Sequence, residues 1–192
     1  MSVRPIVRLG DPRLREICAP VRNPADPRVA GTVRDLADTL AHSRATTGYG
    51  RAIAAPQIGV LERIVFLNVD GATPWPFVNP SIAAHGDEVV TVWDGCLSFL
   101  SIFCQVPRWA TVTVRYQDLA GGWHEVEADG DLSELLQHEI DHLDGILTVD
   151  RMTDVRTLVT REEFELRYRA ESPYGRAPSP RPPPPPAGAQ GG

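Results

Sequence analysis

Leu135 to Gly145 read LLQHEIDHLDG. Within that stretch His138-Glu139-Ile140-Asp141-His142 form an H-E-x-x-H pattern. Residues four apart on a helix share one face. Two imidazoles so placed can hold one metal ion, with the Glu139 carboxylate beside it. Two imidazoles do not complete a catalytic centre, which usually takes three protein ligands and keeps one position for water. The third ligand therefore decides the class of hydrolase.

Three places can supply it. Immediately downstream, the pattern H-E-x-x-H-x-x-G-x-x-H holds up to its last position, where Thr148 replaces the third histidine. A threonine hydroxyl is a poor ligand, so that class fails. Further downstream, Glu162, Glu163 and Glu165 offer a carboxylate of the thermolysin type, in a charged helical stretch where surface glutamates are the default. Upstream, Asp94-Gly95-Cys96-Leu97-Ser98 places a cysteine beside a glycine at the end of an apolar strand. A thiolate is a good ligand for Zn²⁺ or Fe²⁺. Cys96 taken alone reads more readily as a small buried hydrophobe, and Cys18 and Cys104 read that way.

Outward from the motif, Asp131 to Leu143 reads as a helix with Asp131 or Ser133 as its cap. The stretch 26–45 places Val29, Val33, Leu36, Ala37 and Leu40 on one helical face. RIVFLNV, WPFVNPSIAAHG and DEVVTVWDGCLSF read as strand-and-turn units, and ATVTVRYQDLAGGWHEVEA as a hairpin about Gly121-Gly122. TREEFELRYRA is a second helix capped by Thr160. Strands and helices do not alternate regularly, which predicts an α+β fold of antiparallel strands rather than a doubly wound sheet. One domain over residues 1–170 is expected, followed at 171–192 by a proline-rich, disordered tail that cannot bury a core.

The chain has 192 residues, enough for one domain with a sizeable core. Its net charge of −6 offers no basic field for nucleic acid. All 19 cationic residues are arginine, in keeping with a GC-rich genome. Three cysteines are no disulfide framework, so a reducing cytoplasm is the expected setting. Met1 to Pro20, rich in Arg, Asp and Pro, does not read as a signal peptide, and no run of 18 apolar residues suggests a membrane span.

AAPQIG, DGCLS and QHEIDHLDG, in that order, resemble the three motifs of the peptide deformylases. GDPRLR and VPRWATVTVRYQD, with Arg108, resemble further segments of that family. The resemblance runs from about Val3 to Arg167. It implies a metal helix packed on antiparallel strands, and Cys96, His138 and His142 as ligands. It also implies one divalent metal ion, Fe²⁺ by preference, with Ni²⁺, Co²⁺ or Zn²⁺ as substitutes. The reaction implied is removal of the N-formyl group from formyl-methionyl peptides, releasing formate. The partner would be a formylated peptide or nascent chain, with the ribosome as a further candidate. Glu139 would be general base. The Gln57 amide and the Leu97 backbone N–H would stabilise the oxyanion.

The sequence departs from the family at several places. The first motif usually reads G-x-G-x-A-A-P-Q, and here Gly50-Arg51-Ala52 has alanine for its second glycine. The second motif usually begins with glutamate, and here it is Asp94, which keeps the charge but shortens the reach, with Arg108 as its expected partner. Residues near the family's methionine pocket are commonly apolar; here Arg51, Asp131 and Glu134 are charged, while Leu135 stays apolar. These charges either point to solvent or pair Arg51 with an acid, or they make a polar pocket. Two other readings stay open: a hydrolase of a different formylated or acylated substrate, and a homologue that no longer catalyses.

Overall fold

Asp26 caps the first long helix, α1 (Pro27–Thr47), by accepting a hydrogen bond from the Arg28 N–H. The apolar periodicity then buries Val29, Val33, Leu36 and Leu40. In the computed structural model, which describes residues 2–71 and 73–171, α1 follows an N-terminal arm with a 3-10 turn at Pro12–Arg15. After α1 come the strands β1 (Ala52–Ala54), β2 (Ile64–Leu67), β3 (Trp75–His85), β4 (Val89–Asp94) and β5 (Ile102–Trp109). The hairpin β6 (Thr111–Gln117) and β7 (Trp123–Asp129) leads into the motif helix α2 (Gly130–Leu143). The chain ends in α3 (Thr148–Arg151), β8 (Val159–Thr160) and α4 (Arg161–Arg167). The tail expected at 171–192 lies outside the described residues apart from Glu171, which ends a 3-10 turn.

Two antiparallel sheets result, with strand orders β1-β2-β3-β6-β7 and β4-β5-β8. The α+β expectation is met. Strand side chains alternate between faces. Ala52, Ala54, Val65, Leu67, Phe77 and Val114 therefore pack with Leu135, Leu136, Ile140 and Leu143 of α2. Ile53, Ile64, Phe66 and Val78 turn the other way and pack with Val33, Leu36 and Leu40 of α1. Each large side chain fully buried there contributes about 1.5–3 kcal/mol relative to exposure. The large sheet is thus a wall between the two helices, and α2 is buried along most of its length.

The hairpin register pairs Val114 with Val126, as the Gly121-Gly122 turn predicts. The Thr160 side chain accepts from Glu163 N–H at 3.4 Å, as expected for the cap of α4. The cap of α2 is a correction. Its first residue is Gly130, preceded by Asp129, and no side chain caps it. Ser133 is instead drawn into the fold, donating to the Trp109 carbonyl at 2.9 Å. The strand β5 was not expected either. It contains Pro107, which pairs with Thr91 of β4, while β8 reaches only Ile102 and Phe103. Proline is tolerated because its open side has no strand to receive a hydrogen bond.

Candidate metal centre and active site

Helix α2 turns His138 and His142 to the same side, and both are buried. Cys96 arrives from the end of β4, and its Sγ lies 3.2 Å from His142 Nε2. Ligand atoms of Cys96, His138 and His142 all lie within 4.8 Å of one another. Four-coordinate bonds of about 2.0–2.3 Å put donors roughly 3.3–3.8 Å apart. One sulfur and two imidazole nitrogens at this separation fit a divalent transition metal.

The turn that delivers Cys96 depends on Gly95. A Cβ there would lie 2.2 Å from the Phe103 ring. After Cys96, Leu97–Phe99 form a 3-10 turn, and Ser98 N–H donates to Cys96 Sγ at 3.4 Å. Leu97 opens that turn, where backbone N–H groups have no partner within it.

A carboxylate sets the orientation of His138. Asp94, fully buried, lies 3.0 Å from His138 Nδ1 and accepts from Arg108 Nη2 at 3.0 Å. Burial alone would raise the Asp94 pKa; His138 and Arg108 outweigh it and hold the group well below the usual carboxylate range. Burial likewise disfavours a charged His138, but Asp94 outweighs this and raises its proton affinity. Contact at Nδ1 fixes the ring and leaves Nε2 as the donor for a metal. Burial, then the neighbouring His138, lower the pKa of His142. Arg108 continues to Asp141 at 2.5 Å, and Asp141 accepts from Arg151 at 2.6 Å. The sequence anticipated the tie from Asp94 to Arg108. It did not anticipate Asp94 on His138, nor Thr148, whose hydroxyl lies 3.2 Å from His138 Nδ1. The residue rejected as a ligand thus touches one of the two motif imidazoles.

Glu139 and Gln57 enter the same cleft, lined also by Gly50, Arg51, Leu97 and Leu135. Glu139 Oε2 is buried with no hydrogen-bond partner. Burial, then Asp94 and Glu134, push its pKa to about 7, against the opposing pull of His138 and Arg51. Gln57 Oε1 accepts from Ala54 N–H at 2.9 Å, so its amide NH₂ points to Cys96 Sγ and Ser98 Oγ, at 3.4 and 3.3 Å.

The charged pocket residues resolve differently. Arg51 Nη2 donates to Glu134 Oε2 at 2.7 Å, and both line the cleft. Burial pushes the Glu134 carboxyl up and the Arg51 guanidinium opposes it. Asp131 does not line the cleft; its backbone carbonyl lies 3.4 Å from Arg51 Nη1. Ala52 sits in β1, paired with Leu67, and needs no left-handed backbone. Gly50 does: its φ is +137°, and a Cβ would meet Leu40 at 2.9 Å. Two glutamates of α4 are engaged elsewhere. Glu163 accepts from Arg167, and Glu165 pairs with Tyr49 and Arg169. No glutamate of α4 belongs to a metal-capable group among the described residues, whereas Cys96 does.

The model of the polypeptide deformylase family matches residues 3–157. The chain belongs to that family. Among polypeptide deformylases, the peptide deformylase of Thermomicrobium roseum is 42% identical over 166 residues, covering 82% of this chain and 90% of that protein. A peptide deformylase-like protein of Brucella melitensis is 40% identical over 169 residues, covering 88% and 97%. The crystal structure of the Thermotoga maritima peptide deformylase superposes with a TM-score of 0.73 at 33% identity, covering 80% of this chain and all of that one. A Synechococcus elongatus deformylase in complex with actinonin gives a TM-score of 0.75 at 29% identity, covering 82% of each chain.

Proposed function

We propose that this protein is a metal-dependent amidase that removes the N-formyl group from peptide amino termini, formyl-methionyl peptides included, and releases formate. The observation that carries the reading is the convergence of Cys96, His138 and His142 beside the unpartnered carboxylate oxygen of Glu139. Cys96, His138 and His142 would hold a divalent metal, which would supply a water of lowered pKa and polarise the formyl oxygen. Fe²⁺ is the proposed native ion, with Ni²⁺, Co²⁺ and Zn²⁺ able to replace it, as the softness of a sulfur and two imidazoles allows.

The protein's own residues do the rest. Glu139 Oε2 takes the proton from the attacking water and passes it to the nitrogen of the leaving amine. Gln57 Nε2–H and Leu97 N–H donate to the oxygen on which negative charge develops. Gln57 is pre-aimed because Ala54 holds its other amide atom. Asp94 and Thr148 keep His138 turned for its ligand role. Substrate access to formylated nascent chains places the activity in the cytoplasm, at or near the ribosome. No helix among the described residues is long and apolar enough to cross a membrane.

Chelator treatment should abolish formate release, and added Fe²⁺ or Ni²⁺ should restore it. Cys96→Ala should hold much less than one metal per chain. A Cys96→Ala protein that kept its metal and its turnover would refute the ligand set.

A further inference from the structure

One wall of the catalytic cleft is ionic. Arg51, just before β1, and Glu134, on the first turns of α2, meet at 2.7 Å across 83 residues of chain. Glu134 is 1% exposed. One of its oxygens takes the Arg51 hydrogen bond; the other, Oε1, is buried without a hydrogen-bond partner. The pair lines the same cleft as His138 and Glu139, beside the groups the proposed reaction uses.

We infer that the preferred substrate carries, beside its formylated nitrogen, a substituent ending in an uncharged hydrogen-bond donor that reaches Glu134 Oε1. The inference rests on the deformylase reading and adds the side-chain class. Two arguments converge. The first is charge. Arg51 and Glu134 neutralise one another, so a cationic or anionic substituent would bury an uncompensated charge. The second is hydrogen bonding. A carboxylate oxygen only accepts, so a hydroxyl satisfies it and an alkyl or thioether group leaves it bare.

The test compares kcat/KM of the metal-loaded wild-type protein for formyl-Ser-Ala-Ser and formyl-Met-Ala-Ser. The serine peptide should be preferred by about tenfold or more, as expected where a site is built to pair a substrate hydroxyl. Replacing both charges together, in R51L/E134L, should reverse the order. Equal or better turnover of the methionine peptide by the wild-type protein overturns the inference, and leaves the deformylase reading intact because formate is still released. If neither peptide releases formate, the deformylase reading fails and binding decides. Metal-loaded Glu139→Gln protein should then bind the serine peptide more tightly; equal or tighter binding of the methionine peptide overturns the inference. The wild-type comparison is decisive even if the double variant does not fold.

Discussion

The Asp94 carboxylate lies 3.0 Å from Nδ1 of His138, a residue 44 positions away in the chain. It joins the strand that delivers the cysteine to the helix that delivers the histidines. Orientation of a ligating imidazole through its second nitrogen is typically worth about 10–100-fold in metal affinity. Asp94→Asn should therefore lose metal faster than wild type on dialysis against a chelator, by about that factor. Metal retention equal to wild type would show that His138 needs no such support.

Asp94 also compensates Arg108, which is buried beside it. Asp94→Ala should cost about 3–5 kcal/mol of folding stability, because the guanidinium loses one of its two carboxylates in a dry setting. Urea unfolding of the metal-free protein measures this. A change below about 1 kcal/mol would mean that Asp141 alone satisfies Arg108.

Gly95→Ala should damage both fold and centre. The added methyl would overlap the Phe103 ring, 2.2 Å away, and overpacking of a tight interior costs about 1–3 kcal/mol. Relief by moving the backbone would displace Cys96, so metal content should fall as well. Full metal content at wild-type stability would contradict the packing described.

The helices were legible in the sequence because their signal is local. Val29, Val33, Leu36 and Leu40 recur at helical spacing, and His138 and His142 are one turn apart. Gly121-Gly122 marked the hairpin for the same reason. What escaped was set by distant neighbours. Pro107 argues against a strand until one sees that its open side faces no partner. Nothing periodic says which acid Arg51 meets, or that Asp94 serves His138 as well as Arg108. The cap of α2 failed too, since Ser133 looked like a cap and is drawn instead to the Trp109 carbonyl.

The remaining cysteines should be unreactive in the folded protein. Burial pushes Cys18 up to about 11, with Arg63 opposing, and pushes Cys104 up to about 12. The thiolate is the reactive species. At pH 8 iodoacetamide should therefore label both far more slowly in the native protein than in urea, and labelling of Cys18 should climb as pH rises towards 11. Equal labelling rates in native and unfolded protein at pH 8 would contradict the burial of these thiols.

Formate release from formylated tripeptides tests the central claim most directly, using protein prepared without oxygen and holding one Fe²⁺ or Ni²⁺ per chain. The account predicts turnover by the wild-type protein. It predicts a fall of about 10²–10⁴-fold in Glu139→Gln, the range for loss of a general base, with metal content unchanged. No formate from metal-replete wild-type protein, or near-normal rates in Glu139→Gln, would contradict it.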